Sequence, residues 1–176
     1  AAARGAEVTL VTGPSTLPDP AGVKVIKVES ALEMLAACQQ AFGEADITIA
    51  AAAPADYRPA EYHDQKIKKA GDEMSIRLVK NPDIIRELGQ HKAPGQVTVA
   101  FAAETERLIE HAREKLIKKN ADFVVANDVT AEGAGFGVDT NKVSFVTRDG
   151  VEELPLMSKQ EVAGRILDKA VLLLGD

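Results

Sequence analysis

Cysteine occurs once in the 176 residues, at Cys38, so no internal disulfide can form. That thiol sits within an apolar helical pattern and reads as a buried group in a reduced compartment. Positive charge is also short: 21 Lys and Arg stand against 27 Asp and Glu, a net charge of −6. This balance argues against general nucleic-acid or membrane-surface binding, both of which want a basic face. No apolar run reaches the roughly 18 residues of a membrane-spanning helix. No secretory leader is visible, and a soluble cytoplasmic protein is expected. The three histidines, His63, His91 and His111, show no metal-ligand spacing. Gly133, Gly135 and Gly137 lie in a loop that leads to a strand rather than a helix, so they do not form a dinucleotide fingerprint. There is no internal repeat and no low-complexity linker. The length suits one domain, residues 1–176, with a sizeable core.

What is present is an alternation of strand and helix signals. The opening AAARGAEVTL reads as a helix tail capped by Gly5 and followed at once by a strand, so a strand, a loop and most of a first helix are expected upstream. Strands are predicted over residues 7–12, 23–28, 46–53, 96–102 and 122–126. The third is apolar throughout, as in parallel strands buried on both faces. Ser30 with Glu33 forms a capping box for a helix ending near Phe42, with Leu32, Leu35, Ala36 and Phe42 on one face. Asn81 and Pro82 read as N-cap and first helical position of a short helix to about Gln90. A further helix is predicted over 105–119 and a last one from Ser158 to about Leu174. Arg148-Asp149-Gly150 marks a hairpin between strands at 142–147 and 151–156. Residues 57–80 fit no helix; the alternation of Met74, Ile76 and Leu78 predicts a strand there, with another near 66–69, as an antiparallel excursion. The fold class is α/β, a doubly wound and mostly parallel sheet with that excursion and a C-terminal hairpin.

The chemistry-bearing residues gather around 47–83. An apolar strand running into Ala51, Ala52 and Ala53 and broken by Pro54 is the geometry of a ligand-binding sheet edge, where small residues let a ligand approach the backbone. Asp56 after that break suits a ribose hydroxyl, a base amino group or a metal, and equally a plain turn. Lys66, Lys68 and Lys69 read either as a solvated edge or, with Lys80, as a cationic flap for a polyphosphate. The amides of Asp83 and Ile84, at a helix start, suit an anion, with Lys80 offsetting the Asp83 charge. Lys115 and Lys119 share a helix face; their spacing favours a role at the helix dipole, with Lys118 pairing to Glu114. Phe101 reads as core or as a stacking ring, with core favoured.

Taken in order, AAAPADYRP, KIKK, LVKNPDI, VAFAAET, KKNADFVVANDV and GFGVDTNKV resemble the phosphopantothenoylcysteine synthetase family over nearly the whole chain. The resemblance implies a Rossmann-like, CTP-dependent ligase that dimerises through the 57–80 excursion. Its substrates would be CTP, 4′-phosphopantothenate and L-cysteine, with Mg²⁺ accompanying the nucleotide. By motif it implies nucleotide contacts at Asp56, Lys80, Asn81, Pro82, Asp83, Ile84, Phe101, Lys115 and Lys119. Lys66 would be the catalytic lysine of the flap, and Asn127 and Asp128 structural residues near the site. The family's first strand, glycine-bearing loop and catalytic asparagine precede the point where these residues begin. A chain of these residues alone is expected to be a weak or inactive ligase. The flavin-dependent decarboxylase domain to which such ligases are fused is not in these residues, so no flavin is expected.

Two other readings stand beside this one. A Rossmann-type NAD(P)-dependent reductase wants a glycine-rich loop after its first strand and a Tyr and Lys four apart on a helix, and neither is found. A non-catalytic nucleotide-binding or dimerisation module is the third.

Overall fold

The computed structural model describes residues 1–68, 71–135 and 137–175. Ala2–Arg4 form a single 3-10 turn, closed by Gly5 in the left-handed region at φ 87°. β1 (Thr9–Thr12) and β2 (Lys24–Lys27) pair in parallel as a two-stranded ladder of their own. α1 (Ala31–Phe42) follows, with the Ser30–Glu33 capping box formed as the sequence predicts. Leu32 and Ala36 are exposed, however; Leu35 is half-buried, and only Phe42 of the predicted face is fully buried. Cys38 is half-buried, and desolvation pushes its thiol pKa up.

The central sheet has five strands in the order β10-β9-β7-β6-β3. β3 (Ile47–Ala50), β6 (Val97–Glu104) and β7 (Phe123–Asp128) run parallel; β9 (Val143–Val146) and β10 (Val151–Glu153) continue it antiparallel as the predicted hairpin. Strand alternation sorts the side chains between two cores. Val97, Val99, Phe123, Val125, Val143 and Phe145 pack against Val162, Ile166 and Ala170 of α4 (Lys159–Leu174). Ala100, Ala102, Val124 and Ala126 pack against Ala112 and Leu116 of α3 (Leu108–Lys118) and against Ile85 of α2 (Ile84–Gln90). The helices therefore cover both faces, as a doubly wound sheet requires. Alanines dominate the α3 side, so that helix seats close to the strands. On the α4 side the Phe123 and Phe145 rings meet tilted, 5.4 Å between centroids.

At the amino edge of the sheet a polar cluster is fully paired. Asp122 accepts from Lys92 Nζ at 2.9 Å, and its Oδ2 takes both the amide (2.6 Å) and the hydroxyl (3.1 Å) of the buried Thr98. This is how a threonine can sit on an apolar strand without an unmet hydroxyl.

Four predicted details differ. α2 is capped by Asp83, whose side chain accepts from the Arg86 amide, not by Asn81; Pro82 lies outside the helix. α3 begins at Leu108, because 105–107 form a bend ending with Arg107 in the left-handed region at φ 50°. In the excursion, β4 (Tyr57–Pro59) pairs with β5 (Leu78–Lys80), and residues 60–68 and 71–77 contain no strand; Lys69 and Ala70 lie outside the described residues. A strand needs a partner for its backbone groups, and among the described residues no strand pairs with Met74 or Ile76. Finally, Lys118 and Glu114 form no ion pair among the described residues; the cations that pair are Lys115 and Lys119, and their partners lie on other elements.

Candidate functional site

The carboxyl ends of β3, β6 and β7 lie side by side, which is where open α/β sheets bind ligands. Residues 51–56, leaving β3, are exposed and small apart from Pro54 and Asp56. The segment from Lys80 to Asp83 is strapped onto them. The Asn81 amide donates to the Asp56 carbonyl at 2.7 Å, and Asn81 Nδ2 to the Ala55 carbonyl at 2.8 Å. Arg58 Nη1 donates to the Lys80 carbonyl (2.7 Å) and to Asn81 Oδ1 (3.1 Å). Asp56, Lys80 and Asn81, 24 to 25 residues apart in sequence, are thus fixed together. The Asn81 carboxamide works as a clamp between two loops, which is why it does not cap the helix.

Asp83 brings the second distant segment in. Its carboxylate lies 3.4 Å from Lys119 Nζ at the C-cap of α3, with the lysine side chain 18% exposed. Lys119 rather than Lys80 balances the Asp83 charge. Side chains on a helix lean toward its N-terminus, here the carboxyl edge of the strands, so Lys115 and Lys119 both reach that way. Lys115 Nζ donates to Glu104 Oε1 at 3.0 Å, where β6 ends, and His111 Nδ1 stands 3.6 Å from the same carboxylate.

The position of Lys119 depends on a close seam between α2 and α3. Gly89 lies so near the end of α3 that a Cβ there would stand 2.0 Å from the Lys119 carbonyl oxygen. Asn120, left-handed at φ 49°, donates to the Gly89 carbonyl at 2.9 Å and ties the two helix ends.

The remaining candidates fall elsewhere. Lys66 and Lys68 are exposed and make no hydrogen bond or ion pair among the described residues. Phe101 is half-buried on the α4 face, packed against that core with Ile47 and Met157, opposite the face carrying Lys115 and Lys119. Asp128 ends β7. Its Oδ1 takes the Thr130 hydroxyl (2.7 Å) and the amides of Thr130 and Ala131 (3.0 and 3.2 Å). The Thr130 hydroxyl bond, then the amides, with Lys142 nearby, hold the Asp128 pKa below the ordinary carboxylate value. The glycine loop after it leads into β8 (Thr140–Asn141), which pairs with β11 (Met157–Ser158). Two shallow concavities lie away from this edge, at the β9–β10 hairpin and between 43–46 and 93–96. Among the described residues no helix is long and apolar enough to cross a membrane, and no three His, Cys, Asp or Glu cluster as a metal site.

Sequence reading missed Glu104, His111, Arg58 and the Asn120 tie. Each acts through a contact 11 to 31 residues away or across a strand-to-helix turn, and no local pattern encodes it.

Comparison with known proteins gives these features a context. The family described as "DNA/pantothenate metabolism flavoprotein C-terminal domain" matches residues 1–173. The chain is 45% identical over 174 residues to the coenzyme A biosynthesis bifunctional protein CoaBC of Escherichia coli (strain K12), covering 97% of this chain and 43% of that protein. It is 45% identical over 175 residues to a protein named cysteine/cysteine sulfinic acid decarboxylase from an unknown prokaryotic organism, covering 98% of this chain and 49% of that protein. The crystal structure of the C-terminal domain of a CoaBC superposes with a TM-score of 0.81 at 40% identity, covering 99% of this chain and 79% of that one. The chain thus spans less than half the length of these two curated relatives. By the match over residues 1–173, the chain belongs to the family of the DNA/pantothenate metabolism flavoprotein C-terminal domain.

Proposed function

We propose that this chain carries the ligase site that joins 4′-phosphopantothenate to L-cysteine at the expense of CTP, in coenzyme A biosynthesis. The observation that carries the reading is the meeting of two distant segments at the carboxyl edge: the Asp56–Asn81 strap, with Lys80, and the Asp83–Lys119 pair. Family membership and the kinship with CoaBC proteins support it.

The chemistry follows from the charges. A carboxylate oxygen of phosphopantothenate attacks the α-phosphorus of CTP; the bond from that phosphorus to the bridging oxygen breaks and pyrophosphate leaves. The cysteine amine then attacks the acyl carbon of the acyl-cytidylate. The acyl C–O bond breaks, CMP departs, and the amine proton is lost as the amide forms. Both substrates of the first step are anions, so an acidic protein must concentrate cations locally. Lys80, Lys115 and Lys119 supply them at the sheet edge, and Lys66 brings a further ammonium on the excursion, stabilising charge as it builds at the α-phosphate. Asp56 takes a ribose or base donor. Asn81, Pro82 and Ile84 shape the backbone beside the phosphates, and Phe101 closes the core beneath the site. Where Mg²⁺ accompanies the nucleotide, Asp56 would be the carboxylate placed to help hold it, and the ion would supply further positive charge against the phosphates.

The excursion exposes Tyr57, Tyr62, Ile67, Met74, Ile76 and Leu78, with Tyr62 89% exposed. A homodimer that covers these side chains accounts for them.

The test is a nucleotide panel on the native full-length protein. CTP with Mg²⁺ at about 100 times its Kd adds roughly 2.7 kcal/mol of stability to the unit that binds it, read as a rise in the Tm of that unit's transition. ATP, UTP and NADPH at the same concentration give smaller shifts. Equal shifts for all four, or none, would overturn the reading.

A further inference from the structure

One polar atom in the interior of this sheet has no counterpart. Asn127 Oδ1 is buried and has no hydrogen-bond partner among the described residues. Its neighbour Asp128, one position on, has three donors on a single oxygen. A buried amide oxygen left without a donor costs about 1–3 kcal/mol. Turning the carboxamide over exchanges an unmet acceptor for an unmet donor, so reassignment of the amide does not remove the cost.

The surroundings define what would meet it. Asn127 alternates with the buried Phe123 and Val125, which puts it on the α4 face, at the carboxyl end of β7. Across the ladders it stands opposite Ala103 of β6 and Val143 of β9. Phe101, one diagonal step away, shares that face. Ala103 is exposed, Asn127 and Phe101 are half-buried and Val143 is buried, so Asn127 stands at the boundary between an open stretch of the sheet and an apolar wall. The lysines come from α3, on the opposite face. Phosphate charge therefore belongs to the α3 side, and the α4 side suits a neutral segment with one polar group.

We propose that Asn127 is a substrate-binding residue whose carboxamide pairs with the secondary amide of the acyl substrate. With the carboxamide of the half-buried Asn127 turned toward that boundary, Oδ1 accepts the substrate N–H and Nδ2 donates to its carbonyl, two bonds between matching groups. The assignment rests on the ligase reading: phosphopantothenate has one such amide, between a hydroxyl-bearing carbon and a methylene, and its carboxylate end continues toward the nucleotide.

The experiment uses the native full-length protein and initial rates of pyrophosphate release. Asn127→Leu keeps the branching at Cγ and removes the orphaned oxygen. It is expected to raise KM for phosphopantothenate about 10- to 100-fold, to leave KM for CTP within about twofold, and to melt no lower than wild type. Asn127→Ser serves as a second variant with the same expected KM pattern. A phosphopantothenate analogue with an ester in place of the amide needs no mutation: wild type should lose a similar factor, and Asn127→Leu should not distinguish ester from amide. Unchanged KM for phosphopantothenate in both variants, or an ester as good as the amide in wild type, would overturn the assignment and leave the ligase reading standing. A wild-type protein with no CTP-dependent pyrophosphate release would overturn that reading, and the assignment with it.

Discussion

Gly89→Ala tests the seam on which the site geometry depends. The added Cβ would stand 2.0 Å from the Lys119 carbonyl oxygen, 3.1 Å from its carbon and 3.4 Å from Asn120 Cβ. The nearest of these is backbone, at a helix C-cap held by a bond from the Lys119 amide to the Lys115 carbonyl. No side-chain rotation relieves the clash. To reach ordinary contact near 3.4 Å, α2 and the end of α3 must part by roughly 1.4 Å. That movement breaks the Asn120–Gly89 bond and opens the Asp83–Lys119 pair, whose two members sit on the separating elements. Overpacking of this kind costs about 1–3 kcal/mol and the lost bond about 1 kcal/mol more. For a chain of this size the sum lowers Tm by roughly 4–16 °C. The same change should weaken CTP binding. Gly43→Ala is the control, since nothing lies within 4 Å of its Cβ and its φ of −63° suits alanine; it should leave Tm unchanged or raise it slightly. Thermal melts and calorimetric CTP titration read both effects. A Gly89→Ala protein melting within a degree of wild type would show that the seam is not as tight as described and would remove the reason Lys119 is fixed beside Asp83.

Three further outcomes follow from the same geometry. Lys119→Gln should weaken CTP binding about 10- to 100-fold by calorimetry, as loss of one charge-assisted phosphate contact, with little change in Tm because Asp83 keeps its bond from the Arg86 amide. Thr130→Val removes the largest cause of the lowered Asp128 pKa. Because that pKa is depressed in the fold, the carboxylate stabilises the protein above its unfolded value near 3.9 and the contribution fades as pH falls through the folded value; carboxyl-carbon NMR should show the Asp128 titration moving upward in the variant. Ser30→Ala breaks the capping box that fixes the start of α1, lowering stability by about 0.5–2 kcal/mol in a chemical-denaturation series.

Local chemistry was legible wherever the partner lies within a turn or two. Ser30 with Glu33 forms its box as predicted, and Ser158 caps the last helix as predicted, where Glu161 completes a second box that the sequence reading did not name. The apolar runs at 96–102 and 122–126 became the central strands because a strand buried on both faces has little freedom in composition. Asn81-Pro82 misled, since a good capping residue is also a good clamp, and two carbonyls 25 and 26 residues away decided its use. The 57–80 excursion misled in the other direction: Met74, Ile76 and Leu78 alternate as a strand would, yet only Leu78 lies in one and all three are exposed. The lysines were identified as cations of interest, but their partners were not. Glu104 is an ordinary carboxylate in the sequence, and Asp83, though a candidate there, is read with Lys80 as its counter-charge; only the folded course of α3 brings Lys115 and Lys119 to them.

The most direct measurement is product formation by the native full-length protein with CTP, 4′-phosphopantothenate, L-cysteine and Mg²⁺. The account predicts phosphopantothenoylcysteine with equimolar CMP and pyrophosphate, no CMP when either acid is omitted, and a rate well below this when ATP replaces CTP. Release of AMP at an equal rate with ATP, or a condensed product formed without any nucleotide, would contradict it.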